Sequence, residues 1–177
     1  RPVRVGKTAS FDGNGAVVIP AAAVVGASDF TIEAWAKGVG EIFRKERLSG
    51  NSLCLTVTAD GGAEMAFDTF NPSYAIPDAA KRLKEAVAGL GLADGSWHHV
   101  ALTCSKGGVG TYTVRLYADS ALAATVPSVP LKLDGGDLVI GDGFFGEMCG
   151  FRFSPSALDV EAFLRLEEVP GMAVIVR

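Results

Sequence analysis

His98 and His99 are the two histidines of a 177-residue chain, and imidazole is the side chain best suited to proton transfer or metal binding near neutral pH. On a strand, adjacent side chains point to opposite faces, so the pair cannot easily hold one ion through both rings. Nucleophilic catalysis by His99 with a serine or cysteine lacks a credible third partner in the sequence. Glycoside hydrolysis needs two carboxylates flanking the scissile bond. Here Glu33 stands alone on its strand, Glu41 and Glu46 are spaced by five, and Glu147 has Gly150 where a partner would stand. Gly141-Asp142-Gly143-Phe144-Phe145-Gly146 spells Gly-x-Gly-x-x-Gly, but no helix opens after it. It reads as a hairpin or rim loop rather than a phosphate cradle, with Phe144 and Phe145 either exposed as rim anchors or tucked into the core. These absences predict a domain without catalytic activity.

The three cysteines, Cys54, Cys104 and Cys149, lie far apart, with no Cys-x-x-Cys pair. Each sits in a strand-like apolar stretch and reads as a small buried hydrophobe, with one disulfide and a leftover thiol as the alternative. They do not settle the redox compartment.

Binding chemistry is more legible. Asp29–Lys37 alternates so that Phe30, Ile32, Ala34 and Ala36 share one face, and Thr31, Glu33, Trp35 and Lys37 the other. If Val100, Leu102 and Cys104 point to the core, Trp97 and His99 point away from it. In Gly110–Asp119 the outward set is Thr113, Arg115 and Tyr117. Were these strands in one sheet, its outer face would carry Glu33, Trp35, His99, Arg115 and Tyr117, with Phe144 at the loop rim. Flat rings for apolar sugar faces and fixed polar groups for hydroxyls are what a carbohydrate site needs. A structural reading competes: the aromatics serve packing beneath an apolar cover, and Glu33 with Arg115 forms a cross-strand ion pair.

The elements that must position these residues follow from composition and pattern. Hydrophobic residues make up 49% of the chain, enough for a core, and 16 basic against 20 acidic residues give a net charge of −4. That balance argues against a nucleic-acid footprint or a polybasic membrane patch. No apolar run approaches the roughly 20 residues of a membrane span. The length suits one domain over residues 1–177. The start at Arg1, without methionine or signal-peptide pattern, reads as a piece of a longer chain.

Period-two alternation predicts short strands over 8–12, 16–20, 29–37, 40–47, 52–59, 64–70, 97–105, 110–119, 121–126, 137–141, 147–153 and 169–176. Asp60-Gly61-Gly62 and Lys106-Gly107-Gly108 mark turns. Arg44-Lys45-Glu46-Arg47 reads as a solvated face or edge guard. Residues 77–89 carry a helix signal: Pro77 and Asp78 suit the start, Gly89 or Gly91 the end, and Leu83, Val87 and Leu90 form a stripe. A short helix is expected over 156–166, with Leu158, Phe163 and Leu166 turned inward. The fold class is all-β, a two-sheet antiparallel jelly-roll sandwich with an inserted helix near 78–90 and a short helix near 156–166.

The segments Ser10–Gly15, Phe30–Trp35, Gly95–Thr103, Val114–Asp119, Leu138–Gly141 with Phe145-Gly146, and Ser154–Leu166 occur in the order and spacing of a known family. The chain resembles the laminin-G-like jelly roll of the concanavalin A-like lectin/glucanase superfold over residues 8–166. Two departures stand out. The family pattern after Phe145-Gly146 has Asp-Glu where this chain has Cys149-Gly150. Many members of the superfold hold calcium near this point through oxygen ligands, and cysteine is a poor calcium ligand. The resemblance therefore implies no cofactor, with a structural calcium argued against by Cys149 and Gly150. The second departure is the helix-bearing insertion over 71–94.

The resemblance, with the missing carboxylate pair, implies a non-catalytic binding module of a larger extracellular or cell-surface protein. The expected partner is a glycan, with a protein ligand (adhesion or structural assembly) as the alternative, and an accessory module beside a glycoside hydrolase as a third. Neither nucleic acid nor membrane insertion is expected. The fold hosts many functions, so the site must decide.

Overall fold

The computed structural model describes residues 8–20, 29–47, 50–69, 81–131, 133, 135–166 and 175–176. Among the described residues twelve strands run in chain order as β1 (Ala9–Asp12), β2 (Val17–Ile19), β3 (Phe30–Arg47), β4 (Gly50–Val57), β5 (Ala63–Thr69), β6 (Lys81–Val87), β7 (His98–Lys106), β8 (Thr111–Ala118), β9 (Ala121–Pro130), β10 (Leu138–Ile140), β11 (Phe145–Ser154) and β12 (Ile175–Val176).

The expected strands over 29–37 and 40–47 are one continuous strand, β3, shared between two sheets. Its first half pairs antiparallel with β7, from Phe30↔Cys104 to Ala36↔His98, and with β11. Its second half pairs with β4 and β10. β8 and β9 extend the first sheet beyond β7, and β5 and β6 extend the second beyond β4. Gly38 and Gly40 occupy the joint, at φ +142° and +117°. Gly38 lies opposite Gly146, itself at φ +144°. A Cβ at Gly38 would stand 2.1 Å from the Phe145 carbonyl oxygen, and one at Gly146 2.1 Å from that of Lys37. Two backbones can approach this closely only where neither carries a side chain.

The core lies between the sheets. Ile32, Leu102 and Leu116 come from one, Leu53, Leu55 and Phe67 from the other, all fully buried. Phe43 meets Phe151 edge-on across the interior at 6.2 Å, and Phe30 stacks on Phe153 at 5.8 Å. These faces match the alternation in the sequence. The result is the all-β jelly-roll sandwich.

The helix expected near 78–90 is absent over the residues described: Lys81–Val87 is strand β6, paired with β5 from Thr69↔Lys81 to Ala63↔Val87. Pro77 and Asp78, taken as its start, lie outside the described residues. The reason is tertiary. The β5 edge supplies a ladder for every second backbone group of the segment, while an isolated helix of this length is marginal in water. Leu83, Lys84, Glu85 and Ala86 are all exposed, so the backbone ladder rather than a buried stripe holds the segment. Lys84 adds an ion pair to Glu64 at 2.9 Å.

The helix expected near 156–166 shrinks to a single 3-10 turn at Val160–Ala162, whose leading residue Asp159 makes no side-chain cap. Hydrogen bonds to the underlying sheet hold this segment instead. Within the charge run, Arg44 and Lys45 are not on a solvated face either. Lys45 is 4% exposed, and its Nζ donates to the carbonyls of Glu46, Gly135 and Gly136 at 2.6–3.0 Å. Arg44 pairs with Glu41, Glu46 and Asp142. Of the expected strand over 169–176, residues 169–174 lie outside the described residues, and Ile175–Val176 pairs parallel with Arg152-Phe153.

All three cysteines are buried and unbridged. Burial pushes the thiols of Cys104 and Cys149 up, the latter to about 11, with Glu147 adding to the effect. The thiolate is the reactive form. The native protein is therefore expected to resist an aromatic disulfide reagent at pH 8 and to react at all three thiols once unfolded. Rapid native labelling would show that the cysteine-bearing strands open locally.

Candidate functional site

Strand alternation and register bring the expected face together. Trp35 lies directly across from His99, Glu33 across from Ala101, which in turn faces Tyr117, and Thr103 lies across from Arg115. Glu33, Trp35, His99, Arg115 and Tyr117 therefore share the outer face of the first sheet. It is not an open face. Residues 154–166 run over it and close most of it off.

The closure is built from hydrogen bonds between side chains of the sheet and backbone groups of the covering segment. Thr31 Oγ1 donates to the Ser156 carbonyl at 2.8 Å and accepts from the Leu158 amide at 2.9 Å. Trp35 Nε1 donates to the Leu164 carbonyl at 3.0 Å. The Leu164 amide donates to Glu33 Oε2 at 2.8 Å. Phe163, 4% exposed, sits between His99 and Tyr117, with ring centroids 5.3 and 5.2 Å away.

Glu33 is the centre of this arrangement and is 1% exposed. Its carboxylate takes His99 Nε2–H at 2.8 Å, Arg152 Nε–H at 2.6 Å and the Leu164 amide, and Arg152 Nη2 also reaches it. Burial alone would raise its pKa. The His99 and Leu164 hydrogen bonds and the charges of His99 and Arg152 outweigh burial and hold it below the ordinary glutamate value. An ionised, fully coordinated carboxylate has neither the proton of a general acid nor the free lone pairs of a nucleophile. His99 Nε2 faces Glu33, and the buried Nδ1 has no hydrogen-bond partner.

The structure disperses the remaining candidates. Arg115 and Tyr117 are half-buried beyond the covering segment, and Glu33 pairs with Arg152 rather than with Arg115. Phe144 does not stand at the rim: it is fully buried, edge-on to Phe11 at 6.0 Å. The ring at the rim is Phe145, 60% exposed, over Gly13. Phe144 is drawn inward because its amide bonds back to Gly141, making the glycine-rich stretch a tight turn.

Arg152 and the Leu164 amide were not among the candidates. Arg152 was within reach: Phe151 and Phe153 point to the core, so the residue between them faces Glu33. A register shift between Cys149 and Arg152, with Gly150 at φ +61°, completes that placement. The Leu164 amide had no sequence signal.

Beside the covering segment lies an accessible cleft of about 370 Å³, lined by Trp35, Ser120, Val160, Phe163, Leu164, Arg165 and Leu166. It offers an indole ring, a hydroxyl and a guanidinium, and no carboxylate. Among the described residues, no cluster of three His, Cys, Asp or Glu side chains could hold a metal ion.

The laminin G model described as the concanavalin A-like lectin/glucanases superfamily matches residues 11–162. The chain belongs to this family. No curated protein matches it. Solved structures agree with the fold. Domains LG4-5 of the mouse laminin alpha1 chain superpose with a TM-score of 0.61 at 16% identity, covering 93% of this chain and 46% of that one. The binding domain of botulinum neurotoxin DC in complex with rat synaptotagmin II superposes with a TM-score of 0.57 at 11% identity, covering 88% of this chain and 40% of that one. The same binding domain in complex with SialylT gives 0.56 at 12% identity, with the same coverage. This laminin G-like chain thus spans less than half the length of these structures.

Proposed function

We propose that this laminin G-like fold is a non-catalytic binding module of a larger extracellular or cell-surface protein, with a carbohydrate as its ligand. The observation that carries the reading is the pairing of a saturated Glu33 with an accessible cleft that holds Trp35, Ser120 and Arg165 but no carboxylate. A sugar ring can lie against the indole while its hydroxyls meet Ser120 and the guanidinium; hydrolysis has no acid–base pair to use. Arg115 and Tyr117 form a second polar-aromatic strip on the far side of Phe163. Similar folds occur in toxin binding domains complexed with SialylT and with synaptotagmin II, which supports binding as the role and leaves glycan against protein to experiment. The exposed Phe145 favours the protein alternative, as a rim anchor for an adhesion or assembly partner.

The test is a glycan array run with calcium and again with a chelator. Binding that survives chelation is expected, and Trp35→Ala is expected to weaken it at least tenfold, about 1.4 kcal/mol, with circular dichroism checking the fold. Arg115→Ala separates the two strips: unchanged binding keeps the ligand in the cleft. Silence across the array would sink the carbohydrate reading, and binding abolished by chelator would move the site to a calcium centre.

A further inference from the structure

His98 is held differently from its neighbour. Its Nδ1 lies 2.8 Å from Asp119 Oδ2 and its Nε2 lies 2.9 Å from Asp94 Oδ1. Asp94 belongs to the loop that joins β6 to β7, and Asp119 to the turn between β8 and β9. The same two carboxylates cap nearby amides: Asp94 Oδ1 accepts from Ser96, and Asp119 Oδ1 from His99. The imidazole therefore pins two connections to one strand end. Neutral imidazole has one N–H and one acceptor nitrogen. It can donate to only one of these carboxylates and must turn a lone pair toward the other. Only the imidazolium satisfies both.

We propose that His98 is a proton-operated clasp: the imidazolium ties the β6–β7 loop to the β8–β9 turn, and loss of its proton releases one of the two. The proposal stands apart from the ligand reading. Only its consequence for the cleft, whose wall includes Ser120 beside Asp119, rests on that reading.

The surroundings favour the charged form. From β3 the residue opposite His98 is the uncharged Ala36, and the nearby Lys37 is engaged by Glu147 at 3.1 Å. Asp94 and Asp119 are the charged groups facing the ring. Burial of the half-covered ring would lower its pKa; the hydrogen bonds to Asp119 and Asp94, and their charges, overcome that and raise it above the ordinary value of 6.5. Because the folded midpoint lies above the unfolded one, the stabilisation is complete below about pH 6.5 and fades as pH rises through the native midpoint. On the acid side it ends when Asp94 protonates. The His98 hydrogen bond holds that carboxyl below its usual 3.8, with the Ser96 amide helping.

The experiment is a pH titration of the ring nitrogens by long-range ¹H–¹⁵N NMR on the whole chain and on Asp94→Asn. Asparagine keeps an oxygen for the Ser96 amide but cannot pair with the charge, so the fold is expected to survive. Both nitrogens should carry protons at pH 6, the wild-type midpoint should lie above that of a free histidine, and Asp94→Asn should lower it. Thermal melts should separate wild type from the variant at pH 6 and bring them together above the midpoint. A wild-type midpoint at or below 6.5, an unshifted midpoint in Asp94→Asn, or a melting difference constant from pH 6 to 9 would each overturn the clasp.

Discussion

Glu33→Ala is expected to destabilise the folded protein by about 3–5 kcal/mol, because it removes one partner of a buried charge network and strands the others. Arg152 would lose its carboxylate, His99 would keep a buried Nε2–H with nothing to accept it, and the Leu164 amide would go unpaired. The covering segment would lose its central anchor, leaving the Thr31 and Trp35 bonds and the Arg152 bond to the Ala162 carbonyl. For a chain of this size the loss corresponds to a fall in melting temperature of roughly 6–20 °C. Amide exchange should locate it, rising first at Leu158 and Leu164. The pH dependence has a definite sign. Glu33 has a lowered native pKa, so its contribution is present above the ordinary glutamate value of 4.5 and is lost as pH falls through the native one. Wild type and Glu33→Ala should therefore converge in stability in acid and diverge toward neutrality. A variant as stable as wild type at pH 7 would mean that the carboxylate is tolerated rather than needed, and that the Thr31, Trp35 and Phe163 contacts suffice to hold the cover.

Gly38→Ala is the second large effect. The added methyl would stand 2.1 Å from the Phe145 carbonyl oxygen, at a φ of +142° that L side chains rarely adopt. Strain at such a φ costs about 1–3 kcal/mol and overpacking about 1–3 more, so a total near 4 kcal/mol is expected. The clash is with backbone, which has no rotamer to change. Gly146→Ala should behave alike, because its Cβ would meet the Lys37 carbonyl oxygen from the other strand. The double variant should cost less than the sum of the two, since both report one strand crossing. Urea melts of the single and double variants provide the measurement. A Gly38→Ala cost below about 1 kcal/mol would mean that the crossing relaxes at little cost.

The two predictions also mark how far the sequence could be read. Alternation in Phe30–Lys37, His98–Lys106 and Thr111–Ala118 was enough to assign faces, because a half-buried strand must place every second side chain in the core. Family-like segments in order were enough for the jelly roll. The helix signal over 81–87 misled because the edge of β5 offers these residues a backbone ladder, and tertiary pairing overrides local propensity. The short helix at 156–166 misled because bonds to Thr31, Glu33 and Trp35 of the sheet fix the segment and leave only a 3-10 turn within it.

For the site, the grouping of Glu33, Trp35, His99, Arg115 and Tyr117 on one face was legible, and its accessibility was not. Side-chain direction is a local property of a strand. What lies above the side chain is set by a segment more than a hundred residues away, through bonds such as Leu164 to Glu33 across 131 positions. A backbone amide has no residue type, so no sequence pattern could announce that donor. The sequence by itself determined most of the strands, the two faces of the strands that carry the site and the aromatic-polar character of the outer face. Only the tertiary structure decided that this face is closed at Glu33 and His99 and open at Trp35, because closure depends on where a distant backbone comes to rest.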